Sequence, residues 1–260
     1  MRRFGTGRFV TAGAGLLLAA LLASAAGAAD LPAKMVTKAP PILAPAYNWS
    51  GFYIGLNAGG GSSHDCFTIT ADNGRSVGPA SEGCHNATGA LAGGQLGYRW
   101  QFTHWVFGLE AQGDWADMKG SNASLTATVP YNNKTKIDAF GLFTGQVGYV
   151  WNNLLWYVKG GAAVTDNKYT SYFTATNIFA PVGTVFNSAN ETRWGGTVGT
   201  GIEFGFWQNW SVALEYDHLF MGKHSVTFPA SSIAVTRTDD ISQDVDMGTV
   251  RLNYRFSALH

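Results

Sequence analysis

From His104 to Asp117 the chain sorts its side chains by parity. Trp105, Phe107, Leu109, Ala111, Gly113 and Trp115 fall at odd positions, and Val106, Gly108, Glu110, Gln112 and Asp114 at even ones. Successive side chains of a β-strand leave opposite faces, so a period of two gives a strand with one greasy and one polar face. The pattern recurs. Trp194, Val198, Ile202, Phe204 and Phe206 alternate with Arg193, Thr197, Glu203 and several glycines, and Trp210, Val212, Leu214 and Tyr216 with Ser211, Ala213, Glu215 and Asp217. Val250, Leu252, Tyr254 and Phe256 alternate with Arg251, Asn253 and Arg255. Eight such segments are predicted: Gly51–Gly61, Gly89–Trp100, His104–Ala116, Ile137–Trp151, Leu154–Thr165, Thr192–Phe206, Asn209–Phe220 and Val245–Phe256. The connections alternate between two or three residues and the long polar stretches 62–88, 117–136, 166–191 and 221–244. Short turns at one end and long loops at the other describe an antiparallel up-and-down meander.

Which face lies inside decides the class. Charged residues make up only 13% of the chain, about half the usual share, and aromatics also 13%. The greasy face ends in rings: Trp100, Trp105, Trp115, Trp151, Trp156, Trp194, Phe206 and Trp210. Rings at strand ends fit the two interfacial girdles of a membrane barrel, with the greasy face toward lipid. A closed barrel also satisfies the backbone groups that a bilayer cannot. The expected fold is therefore all-β: an eight-stranded antiparallel up-and-down transmembrane β-barrel. Ten strands remain open, with Tyr169–Phe186 as an extra hairpin.

The first 28 residues read as a signal peptide: Arg2, Arg3 and Arg8, then an Ala/Leu/Gly run, then Ala26-Gly27-Ala28 as a cleavage site. Its removal turns a net charge of zero into 14 basic against 17 acidic side chains. That balance offers nothing to nucleic acid. Residues 29–48 carry Pro32, Pro40, Pro41 and Pro45 and read as an extended linker. The barrel is expected over 49–256 and a short tail over 257–260.

Parity places Glu110, Asp114, Lys159, Arg193, Glu203, Glu215, Arg251 and Arg255 inside. They read either as an ion path or as a plug of ion pairs. An eight-stranded barrel is just wide enough for side chains to fill, which favours the plug. Adjacent strands should bring Glu203, Glu215 and Arg251 together. Cys66 and Cys84 fall in the first long connection, where export favours a disulfide worth roughly 3 kcal/mol. The alternative is a zinc site with His64 and His85. No nucleophile–base pair assembles, because Ser211 and His218 face opposite sides of one strand, so no catalysis is expected. Tyr131, Tyr169, Tyr172, Phe173, Phe179, Phe186 and Phe228 lie in the long connections. They suit either an adhesive surface or packing among strand ends that pass beyond the membrane.

Asn48-Trp49-Ser50-Gly51-Phe52-Tyr53-Ile54-Gly55 resembles the opening strand of the small α-proteobacterial outer-membrane immunogen family, porin-family barrels similar to the OmpA-type transmembrane domain. The resemblance continues through Gly94–Tyr98, Gly145–Tyr149 and Tyr157–Gly161, is strongest over Gly199–Glu203 and Asn209–Tyr216, and closes at Val250–Phe256. It implies an outer-membrane barrel of a Gram-negative bacterium with no enzymatic activity. One departure is that Phe256, the aromatic usually terminal in such barrels, is followed by Ser257-Ala258-Leu259-His260. The function expected is a structural, envelope-stabilising barrel that displays surface loops; the alternatives are a small low-conductance porin and a lipid-acting barrel enzyme. Partners expected are outer-membrane lipid and lipopolysaccharide, the barrel assembly machinery during biogenesis, and a surface ligand at the long connections. No cofactor or metal is expected.

Overall fold

The computed structural model describes residues 47–178 and 180–256. The expected signal peptide, all of the linker before Tyr47, Phe179 and the tail lie outside the described residues. Eight strands follow in order: β1 Gly51–Asp72, β2 Arg75–Phe102, β3 Trp105–Ala123, β4 Tyr131–Trp151, β5 Leu154–Phe173, β6 Val185–Trp207, β7 Trp210–Phe228 and β8 Arg237–Arg255. Each pairs antiparallel with its neighbours, and β1 closes on β8, from Tyr53 opposite Arg255 to Asp72 opposite Arg237. Over the lower part of the barrel every strand is paired on both sides, the condition for a backbone in lipid, whereas the β6–β7 ladder ends upward at Gly196 opposite Phe220.

The strands are far longer than the alternation suggests. They run from 19 to 28 residues, whereas about 9–11 cross a membrane. Most of each long connection is therefore strand. Residues 62–88 form the upper part of the β1–β2 hairpin, closed by Asn73-Gly74 with φ of 48° and 72°. Asn-Gly tolerates positive φ at both turn positions, the conformation whose twist suits a two-residue hairpin. The ten-strand alternative also fails. Tyr169–Phe173 ends β5, and Val185-Phe186 begins β6.

β8 shows why the upper halves escape an alternation test. Near its end at Arg255, Leu252 and Val250 face out while Asn253 and Arg251 face in. Higher up, Asp246 and Asp244 face out while Met247 and Val245 face in. The period of two persists, but the greasy phase moves from the outer to the inner face. The outward apolar band ends where lipid ends, and above it the barrel needs a core of its own.

That core is layered. Tyr47, Trp49, Val106, Val150, Leu155 and Tyr157 cluster at the short-turn end. Above the charged lumen, Leu91, Met118, Ile137, Phe140, Leu142, Leu219, Met221, Val245 and Met247 form an apolar layer. Phe67, Tyr169, Val226, Phe228 and Ile241 form another, and Phe173, Ala180 and Phe186 a third. Each fully buried Leu, Ile, Phe or Met contributes about 1.5–3 kcal/mol.

Candidate functional site

The lumen is built on a motif used twice. Tyr53 on β1 is level with Gly97 on β2 and Glu110 on β3. Tyr157 on β5 is level with Gly201 on β6 and Glu215 on β7. In each set the tyrosine ring lies across the glycine and its hydroxyl donates to the carboxylate, at 2.6 Å to Glu110 and 2.5 Å to Glu215. A Cβ on Gly97 or Gly201 would stand 2.6 or 2.5 Å from the tyrosine oxygen. The absent side chain makes room for the ring.

Both carboxylates then share two cations. Arg251 on β8 meets Glu110 at 2.6 Å and also bonds Glu215. Lys159 on β5 meets Glu215 at 2.7 Å, Asp217 at 3.2 Å and Glu110 at 3.5 Å. Arg99 on β2 pairs with Glu203 at 2.8 Å, its guanidinium 4.3 Å from the centre of the Tyr53 ring. Asn253 also donates to Glu203 at 2.9 Å. All of these charges are buried within the barrel. A charge left unpaired there is costly, and each of these carboxylates lies against at least one cation.

Of the eight charges predicted inside, Glu110, Lys159, Glu215 and Arg251 form this centre. Glu203 corrects the expected trio, because its cation is Arg99 rather than Arg251. Asp114 faces in and accepts from Gln112 at 2.8 Å, with no cation within ion-pair distance among the described residues. Arg193 belongs to the upper half, on Glu191 at 2.7 Å and the Ile241 carbonyl at 3.1 Å. Arg255 leaves the lumen for the lower rim, donating to the carbonyls of Ser50 and Gln208. These corrections share one cause: parity assigns a face, whereas height follows from strand stagger. Arg99, Asp217, Tyr53 and Tyr157 complete the centre. Arg99 was legible from its place between Tyr98 and Trp100.

All eight predicted girdle rings face outward. Trp100, Trp105, Trp151, Trp156, Phe206 and Trp210 gather at the short-turn end, whereas Trp115 and Trp194 stand some ten residues up their strands. Trp49 does the opposite. It lies inside the lower mouth, its backbone N–H donating to Gln101 at 2.8 Å, with the Tyr47 ring 4.5 Å away. The expected linker thus ends as a cap at Tyr47.

Cys66 and Cys84 form a disulfide, but between facing positions of β1 and β2 rather than in a loop. The expectation that the bond stands outside the sheet is overturned. His85 faces the interior, 2.8 Å from Asn122 and 3.0 Å from Thr135, so the set with both histidines does not assemble. Of the described aromatics in the long connections, all but Tyr172, which lies on the outward face of β5, turn inward. Tyr131, Phe173 and Phe186 pack together, and Tyr169 and Phe228 lie in the layer below. Apolar side chains that reach out near the upper end include Leu125, Ile178 and Val182, with Val77, Val185 and Val235 less exposed. Ser211 donates into the lumen to Glu203, while His218 on the outer face bonds Asp246 at 2.7 Å.

The chain is similar to known outer-membrane proteins. The chain is 28% identical over 250 residues to the 31 kDa outer-membrane immunogenic protein of Brucella melitensis biotype 1, and equally to that of Brucella suis biovar 1, spanning 92% of this chain and 97% of each relative. Among solved structures, the outer membrane protein OprG from Pseudomonas aeruginosa matches with a TM-score of 0.48 at 12% identity, over 80% of this chain and 97% of that one. Ail, the attachment invasion locus protein of Yersinia pestis, matches with a TM-score of 0.37 at 13% identity, over 80% and 99%. The model of the outer membrane protein beta-barrel domain matches residues 15–256, and the chain belongs to that family of outer-membrane barrels.

Proposed function

We propose that this protein is a closed structural barrel that stabilises the outer membrane and carries a rigid extension above it. The observation that supports this reading is the filled interior. Tyr47 and Trp49 occupy the lower mouth, paired charges the lumen, and three apolar layers the upper half. A solute would have to break the ion pairs and then cross a layer with nothing to solvate it. Partners in this reading are the lipid and lipopolysaccharide that meet the outward apolar band and girdles, the barrel assembly machinery, and a surface ligand at Leu125, Ile178 and Val182. The reading assigns no catalysis, consistent with Ser211 and His218 on opposite faces of β7. Planar-bilayer recording tests it: the parent protein should insert without stepwise conductance. Reproducible ohmic steps would replace this reading with that of a narrow porin. Cells lacking the protein should leak periplasmic contents under mild detergent, and a strain no more sensitive than its parent would remove the stabilising role.

A further inference from the structure

Outside the barrel, above the lipid-facing band, three metal-ligand side chains meet on β1 and β2. His64, Cys66 and Cys84 each place a donor atom within 4.8 Å of the others. Cys66 and Cys84 are direct cross-strand partners with Cα atoms 4.1 Å apart. His64 stands two residues before Cys66, on the same outward face, its Nε2 3.5 Å from the Cys66 sulfur. The other ring nitrogen, Nδ1, is 2.8 Å from the Asn86 side-chain oxygen. An amide oxygen only accepts, so the proton resides on Nδ1 and the Nε2 lone pair faces the sulfurs. Metal-ligating histidines are oriented in just this way, one nitrogen held by an oxygen acceptor and the other left to the metal.

The ladder holds this arrangement without the disulfide. Residue pairing runs from Gly51 opposite Arg99 through His64–Asn86, Asp65–His85 and Phe67–Gly83, and Cys66 is also paired to Ser242 of β8. The strands therefore stay in register when the S–S bond is cut. In a tetrahedral site with metal–sulfur bonds near 2.3 Å, the two sulfurs sit about 3.8 Å apart, a spacing open to facing cysteines by side-chain rotation.

We propose that the Cys66–Cys84 disulfide masks a surface site for a soft metal ion such as zinc, opened by reduction. An external dithiol opens it: the dithiol is oxidised to its own disulfide, and each cysteine sulfur takes up one electron and one proton. A divalent soft ion then displaces both thiol protons to water and binds two thiolates and the neutral His64 Nε2. The fourth position is left to water, as in an open three-ligand site. Thiolate ligands select zinc, cadmium or copper(I) over calcium and magnesium.

The test uses the full mature barrel in detergent, with cadmium as probe because its thiolate bonds absorb in the ultraviolet. After reduction, the parent should bind one cadmium per chain with a charge-transfer band. The oxidised parent should show none, zinc should displace the cadmium, and magnesium should not. Reduced His64→Ala should bind at least about tenfold more weakly, Asn86→Ala less weakened, and Cys84→Ser should lose the stoichiometric band. All three face outward, so gel mobility before boiling checks that each variant is folded. Absence of stoichiometric binding by the reduced parent would overturn the proposal. So would parental affinity in His64→Ala, or loss of the folded gel form on reduction alone.

Discussion

The lower and upper halves of this barrel solve opposite problems with one backbone. In lipid, the outer face carries Leu109, Leu214 and Val250 while the lumen holds Glu110, Glu215 and Arg251. Above the lipid, the outer face carries Asp117, Lys119, Asp244 and Asp246 while the interior holds Met118, Leu219, Val245 and Met247. The β1–β8 ladder runs through both halves. Bulges interrupt other ladders near the change of phase, at Trp115/Met118, Ile137/Ala139 and Phe220/Gly222, and the solvent outside dictates which face is greasy. The lower half is held by lipid outside and ion pairs within, the upper half by an ordinary hydrophobic core.

The largest test of that contrast is Arg251→Ala. It strips the shared cation from Glu110 and Glu215 and should cost about 3–5 kcal/mol in denaturant unfolding. Lys168→Ala, an exposed change on β5 above the lipid band, should stay within about 0.5 kcal/mol. Equal midpoints for the two would mean that the lumen charges are solvated. Next comes the outer face. Leu109→Arg puts a cation against lipid and should cost about 2–4 kcal/mol, whereas Asp117→Arg, on the same face of β3 but higher, should cost little. If both fold equally well in bilayers, the boundary between the halves is misplaced. A smaller effect is expected of Gly201→Ala, which drives a methyl group into the Tyr157 ring at a cost of about 1–3 kcal/mol. Gly196→Ala, outward-facing with only the Gly161 carbonyl nearby, serves as its neutral counterpart.

The smallest effect is one of pH and belongs to the upper half. Burial pushes the Asp65 carboxyl up to about 6, and that of Asp239 also to about 6, against ordinary values of 3.8. The folded state thus holds these protons more tightly than the unfolded chain does. Their contribution is complete below about 4 and is lost as pH rises through about 6. Upper-strand amide exchange should slow on acidification from pH 7 to pH 5, after correction for intrinsic rates, by on the order of 1 kcal/mol of opening free energy. Asp65→Asn should flatten that dependence, and an unchanged slope would assign it elsewhere.

What the chain reveals by itself follows from local physics. Alternation names strands and faces, so Glu110, Glu215 and Arg251 inside and the eight girdle rings outside were legible, as were eight strands and the Cys66–Cys84 pairing. The Asn73-Gly74 turn was equally local, yet it lay in a stretch read as loop because its flanking strands have lost their greasy outward face. Tertiary structure decided the rest. Height within the lumen depends on stagger summed around a closed ring, which is why Glu203 meets Arg99 and Arg255 falls to the rim. The inverted upper half depends on where lipid stops, a boundary that appears in the sequence only as a change of phase. Tyr47 and Trp49 turn into the lower mouth because closure leaves an apolar pocket there, lined by Val106, Val150 and Leu155, and a segment outside the strand pattern is free to fill it.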